Sequence, residues 1–302
     1  MDIAKSMIKA MKLRKDDEFG LGKENFIYEG LDISKIRSKI GYRSKDLAKD
    51  VKKEEKKVLG IKVYKYYIQE KIDKIVISLH GGGFYGGASV IMENCNKYIA
   101  KSGFCVYAID YTLAPEKKFP DTMYEIYDVV KEIIKINPKC KIAIIGDSAG
   151  GHLAMNVALL EPKLFSYIAL FYPVICLKQR KAWNIKEYGL EEDSIYAKAS
   201  INFLYHIMKL IQKLYLKKDY DEESKFFDLR KISIEDFKKF AKVKVIMAEF
   251  DYFNLDIEDF CLKFNISERI YKGMGHGFLE FLGYVPEAKQ ALDEIIEELK
   301  GI

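Results

Sequence analysis

The stretch AIIGDSAGGHLAM, residues 143–155, decides the fold. A β-branched apolar run ends in a cluster of glycines around one serine, and a helix-like period follows. That succession predicts strand, sharp turn and helix, with Ser148 at the turn. Two roles suit a serine there. It caps the helix, its hydroxyl accepting from free backbone N–H groups, or it stands clear of the sheet as a nucleophile. Gly146 and Gly150, two before and two after it, relieve the crowding that a nucleophile's elbow creates. The rest of the chain has to decide between the two.

Similar apolar runs recur on both sides. KIVISLH (74–80), FCVYAID (104–110), KIAIIGD (141–147), SYIALFYP (166–173), VKVIMAE (243–249) and ISERIYK (266–272) read as strands. Helical periods fill 88–102, 121–136, 148–160 and 286–299. In 121–136, Met123, Ile126, Tyr127, Val130, Ile133 and Ile134 form one apolar face. Strand–helix alternation predicts an α/β fold, its mostly parallel sheet covered by helices on both faces.

Two regions break the alternation. Residues 1–58 read as helical and charged, ahead of the strand signal KVYKYYI. Residues 177–240 read as helical, rich in Tyr, Phe and Lys, between two strand signals. An insertion of that length forms a lid or cap over a site. The expected division is a core of 59–176 and 241–302, with 1–58 and 177–240 as helical cap segments. KDVKKEEKK (49–57) alternates in sign and reads as a solvated helix face or linker.

The chain has 302 residues, 49% apolar and 31% charged, enough for a sizeable core and a solvated surface. Its net charge of +5 is spread among nearly as many acids, with no zinc-finger spacing and no RNP-type aromatic motif, so nucleic acid is not an expected partner. Five cysteines, odd in number and without C-x-x-C, predict reduced thiols and a cytoplasmic setting. The start, MDIAKSMIKAMKLRKDDE, lacks the apolar h-region of a secretory signal. No uncharged apolar stretch reaches the ~18 residues of a membrane span. MIKAMKL reads as a helix packing its Met/Ile/Leu side on the protein.

GGGFYG (81–86) satisfies the G-x-G-x-x-G dinucleotide fingerprint. However, Asp110 follows Gly81 at nearly thirty residues, where about twenty is usual, and His80 has no role in such a site. No cofactor and no metal are expected.

HGGGF (80–84) read together with GDSAG (146–150) gives acyl transfer instead. A tetrahedral intermediate needs donors for its developing oxyanion, and glycines at a strand end present backbone N–H groups without obstruction. Gly82, Gly83 and Ala149, next to the nucleophile, are the candidates. A base is also required, and the chain has four histidines. His80 belongs to the glycine loop, His152 lies one helical turn past Ser148, and His206 lies in the insertion. His276, in the loop KGMGHGF after a strand, is the expected base. The acid that orients it should fall between serine and histidine in the chain. The end of VKVIMAEFDYFNLD offers Asp251 first, with Asp256 as fallback on the following helix and Glu249 still in the strand.

With these pieces in place, the sequence resembles the hormone-sensitive-lipase-like family of α/β-hydrolase esterases. The matching stretches are HGGGF, DYTLAPEKKFP (110–120), GDSAGGHLA, YP (172–173), EFD (249–251) and HGF (276–278). The resemblance implies a serine carboxylesterase for short- or medium-chain acyl esters, with Ser148, Asp251 and His276 as triad and Gly82, Gly83 and Ala149 at the oxyanion hole. It also implies a cap from the N-terminal segment and the insertion, and a loop-orienting His80. The family's Asp-Pro-Leu-Arg-Asp reads DYFNL here, and a Thr replaces its Arg in DYTLAPE, which predicts a missing structural ion pair. Tyr85, Phe203, Tyr205 and N-terminal Met and Phe residues are candidates for the pocket. The expected partner is a small acyl ester, with self-association into a homodimer left open. The alternatives are an amide or formamide hydrolase with the same triad, and a hydrolase-fold protein that binds without turnover.

Overall fold

Apolar runs bounded by turn residues become strands, and the most apolar of them lie innermost. The computed structural model describes residues 1–15, 18–23, 25–70, 73–179 and 184–302. A short hairpin pairs β1 (Ile27–Tyr28) with β2 (Leu31–Asp32). The main sheet contains β3 (Lys52–Val58), β4 (Ile61–Tyr67), β5 (Lys74–Leu79), β6 (Cys105–Asp110) and β7 (Lys141–Asp147). It continues with β8 (Tyr167–Phe171), β9 (Val243–Phe250) and β10 (Glu268–Gly275). The spatial order is β10-β9-β8-β7-β5-β6-β4-β3. Pairings from β6 to β10 are parallel, and only β3–β4 and β4–β6 are antiparallel.

The helices are α1 (Lys5–Met11), α2 (Ile33–Arg37), α3 (Glu93–Lys101), α4 (Asp121–Lys135) and α5 (Ala149–Leu160). After β8 come α6 (Ile195–Tyr215) and α7 (Ile234–Phe237), then α8 (Asn254–Phe264) and α9 (Pro286–Lys300). Every residue of β5 from Ile75 to Leu79 is buried, because helices cover the sheet on both faces. Helix α5 is buried from Ala149 to Leu159, which its nearly all-apolar sequence allows. The mostly parallel α/β sheet is the one predicted.

One expectation is corrected. KDVKKEEKK is neither a helix face nor a linker, since Lys52–Val58 is the edge strand β3, paired from Lys52 opposite Tyr67 to Val58 opposite Ile61. No residue of β3 is buried, so no apolar alternation marked it. A strand of this kind is defined by its partner rather than by its own residues. Lysines along an edge also discourage pairing with a second chain. The sheet therefore begins ahead of residue 59.

The N-terminal segment and α6 lean on each other. Asp2 caps the start of α6, its Oδ1 accepting from Ala197 N at 2.7 Å. Helix α1 buries Met7 and Ala10 against the protein, as its Met/Ile/Leu pattern predicted. The region after β8 closes at its own root, where Cys176 bridges Asp228. There Leu177 N donates to Phe227 O at 3.1 Å and Leu229 N to Ile175 O at 3.0 Å. Residues 16–17 and 24 of the N-terminal segment and 180–183 of the insertion lie outside the described residues. Among the described residues no helix is long and apolar enough to cross a membrane.

Candidate active site

Strand β7 delivers Ser148 into a turn with φ 52° and ψ −118°, a conformation that costs a non-glycine residue energy. Surrounding contacts hold it there. Ser148 N donates to Phe171 O at 2.9 Å, and Ser148 O accepts from Val174 N at 3.1 Å. The flanking glycines are sterically required. A Cβ on Gly150 would lie 2.1 Å from Leu79 O, and one on Gly146 would lie 2.2 Å from Gly150 O. Both obstacles are backbone atoms, so α5 can press against the ends of β5 and β7 only without side chains at these positions.

The loops after β9 and β10 bring the other two residues to the serine. His276 Nε2 lies 2.8 Å from Ser148 Oγ, and His276 Nδ1 lies 2.6 Å from Asp251 Oδ2. An ionised carboxylate only accepts, so Nδ1 carries the hydrogen and Nε2 is the acceptor for the serine O–H. Asp251 is fully buried, and its Oδ1 accepts the Phe253 N–H at 3.0 Å. The imidazole is set between the rings of Tyr172 (4.9 Å) and Phe253 (5.3 Å).

The glycine loop is tied to the elbow through Asp147. Its Oδ1 accepts from Gly81 N at 2.9 Å, and a Cβ on Gly81 would meet Oδ2 at 2.4 Å. Gly82 has φ +115°, and a Cβ there would lie 2.2 Å from Gly86 O. His80 orients the same loop. Its Nδ1 donates to Gly81 O at 2.7 Å, and its ring stacks on Tyr111 at 4.3 Å. Burial lowers its pKa and favours the neutral ring. Ala149 opens α5, so its N–H has no helical carbonyl to serve.

Burial pushes the Asp147 carboxyl up to about 6, against the opposing effects of the Gly81 N–H and of His276. A folded pKa raised above the unfolded value of 3.8 makes a contribution to stability that is complete below about pH 4. That contribution is lost as pH rises through about 6. Wild type should therefore lose about 2 kcal/mol between pH 4 and 7 that Asp147→Asn keeps. Urea unfolding of both proteins at the two pH values measures the difference. Parallel stability profiles would remove the buried charge from the account.

Ser148, His276, Gly82, Gly83 and Tyr85 line one cleft of about 150 Å³. Tyr85 is buried, with its ring against the position of a Cβ on Gly83. Phe203 lines the cleft as expected, whereas Tyr205 turns to Tyr252 instead. The remaining wall was not read from sequence. Leu204, Ile207 and Ile211 of α6 form its apolar side, and Arg14, Ile40, Tyr42 and Glu280 also face it. The α6 periodicity was visible, but nothing local said which face met the serine.

The other candidates fall elsewhere. Asp256 pairs with Arg230 at 2.8 Å, and Glu249 accepts from Lys272 and Gly273. His152 is buried with its ring nitrogens 3.0 Å from Val174 O and from Phe226 O, and burial pulls it down to about 4. His206 is exposed on α6. At Thr112, where an ion pair was expected to be missing, the hydroxyl and N–H bond Glu125, which Lys117 also neutralises. Arg37 of the N-terminal segment supplies a different pair, to Glu116 at 2.7 Å, and donates to Tyr85 O at 2.8 Å.

Residues 76–280 match the family model described as alpha/beta hydrolase fold. The chain is 26% identical over 254 residues to an esterase of Acinetobacter venetianus, covering 80% of this chain and 79% of that one. It is 35% identical over 94 residues to hormone-sensitive lipase of Mus musculus, covering 28% of this chain and 12% of that one. Several curated matches span less than half of the relative's own length. The esterase of Pyrobaculum calidifontis superimposes with a TM-score of 0.74 at 22% identity, covering 99% of this chain and 98% of that one.

Proposed function

Because this chain belongs to the alpha/beta hydrolase fold family, on its hormone-sensitive-lipase-like branch, we propose that it is a serine carboxylesterase. The observation that carries the reading is the unbroken line Asp251–His276–Ser148, with contacts of 2.6 and 2.8 Å, opening on a cleft. Ser148 Oγ attacks the ester carbonyl as His276 Nε2 takes its proton. Asp251 keeps the imidazole in the required tautomer and stabilises the imidazolium. The oxyanion is received by the backbone N–H groups of Gly82, Gly83 and Ala149. His276 then gives its proton to the leaving alcohol. In the second half it takes a proton from water, whose oxygen attacks the acyl-enzyme.

The N-terminal segment and the insertion act as the cap, α6 setting the depth of the acyl pocket. Tyr85 belongs to the substrate wall. A space of about 150 Å³ suits small acyl groups. In a series of p-nitrophenyl esters from C2 to C12, kcat/KM should peak at about C4 to C6 and fall at least tenfold, roughly, by C12. A flat series would remove α6 as the depth stop, and no hydrolysis at any length would overturn the esterase reading.

A further inference from the structure

The cleft has two unlike sides. Phe203, Leu204, Ile207 and Ile211 make one side hydrocarbon. Glu280, four residues past His276, brings a carboxyl to the same cleft as Ser148. Its Oε2 accepts the Tyr42 N–H at 2.7 Å. Among the described residues no hydrogen bond reaches its Oε1. Arg14 also lines this side, its guanidinium over the Tyr42 ring at 5.7 Å and donating to Ser38 O at 3.3 Å. No ion pair joins Arg14 to Glu280 among the described residues.

A plain alkyl chain filling this space would cover a carboxyl oxygen and give it no partner. A polar group left unsatisfied in this way weakens binding. The substrate that avoids the cost brings its own hydrogen-bonding group. Burial, and then the charge of Asp147, push the Glu280 carboxyl up to about 8, so it donates near neutral pH and accepts above it. A hydroxyl, both donor and acceptor, matches either state. Arg14, Lys39 and Asp147 line the same cleft, so a charged group of either sign meets a like charge there and a neutral group meets none.

We infer that the cleft selects esters carrying a hydroxyl group, and that Glu280 Oε1 is the atom that recognises it. The inference rests on the esterase reading above. Two sources supply the same chemistry. A polyol ester places the hydroxyl on the leaving alcohol, and a hydroxyacyl ester places it on the acyl chain.

The test measures kcat/KM by pH-stat titration for ethyl butyrate, ethyl 3-hydroxybutyrate and glyceryl monobutyrate, each normalised to its hydroxide-catalysed rate. Wild type should prefer at least one hydroxylated ester by about 10-fold or more, and the preferred one identifies the source. Glu280→Leu should reduce that preference to within about 2-fold, whereas Glu280→Gln, whose carbonyl keeps the Tyr42 N–H and whose NH₂ donates into the cleft, should keep most of it. Equal rates for all three esters in wild type overturn the inference and leave the esterase reading standing. So does a preference that Glu280→Leu leaves intact. If Glu280→Leu does not fold, Glu280→Met is read in its place, and a preference that it leaves intact overturns the inference. A wild type that cleaves none of the three and is not labelled at Ser148 by a fluorophosphonate overturns both.

Discussion

Ser148→Ala should lower p-nitrophenyl butyrate hydrolysis by about 10⁴-fold or more, leaving only what backbone donors and binding provide. The substitution removes one oxygen and little else. The elbow is held by backbone bonds, Ser148 N to Phe171 O and Val174 N to Ser148 O, which alanine makes equally well. Among the described residues, the one side-chain bond lost is that to His276 Nε2 at 2.8 Å. Thermal unfolding should therefore stay close to wild type while turnover disappears, and a fluorophosphonate should label wild type alone. Undiminished hydrolysis by the alanine protein would end the acyl-enzyme mechanism.

The second large effect is expected at Asp251. Asp251→Asn should cost about 10³- to 10⁴-fold in kcat at neutral pH. The direction follows from the two oxygens. Oδ1 already accepts the Phe253 N–H at 3.0 Å, so an asparagine places its carbonyl there and turns its NH₂ toward His276 Nδ1. The imidazole must then accept at Nδ1 and carry its hydrogen on Nε2, facing the serine O–H. In that tautomer it is not a base for Ser148. Steady-state kinetics against a matched ester measures the loss, and a variant within about tenfold of wild type would show that Asp251 does not set the tautomer.

Both predictions concern residues legible without coordinates, for a local reason. Ser148, Asp251 and His276 each lie just past the apolar run of a strand, in a turn whose glycines or acids stand out from their neighbours. The cleft was much less legible. Arg14, Tyr42 and Glu280 are far apart in the chain and meet where Tyr42 N reaches the Glu280 carboxyl and the Tyr42 ring packs between Arg14 and Phe281. Nothing in either neighbourhood encodes that meeting. Strand β3 was misread for a related reason, since its lysines and glutamates carry no apolar period and its pairing partner is the only evidence of its state. Asp147 passed unnoticed as the variable position of a motif, although it ties the glycine loop to the elbow.

The joint between Cys176 and Asp228 has a consequence for how such a molecule diversifies. Two backbone hydrogen bonds bring both ends of the insertion together before the chain goes on toward β9. Its length and sequence therefore make no demand on the register of the sheet. An evolving lineage, or a protein engineer, can lengthen, shorten or exchange α6 and its neighbours as a cassette. The contacts of Gly146 and Gly150 that shape the Ser148 turn lie outside the insertion, and Phe226 O, which His152 reaches at 3.0 Å, is the contact an exchange has to keep. Under the esterase reading, the segment that meets substrate can change while the turn that carries Ser148 stays still.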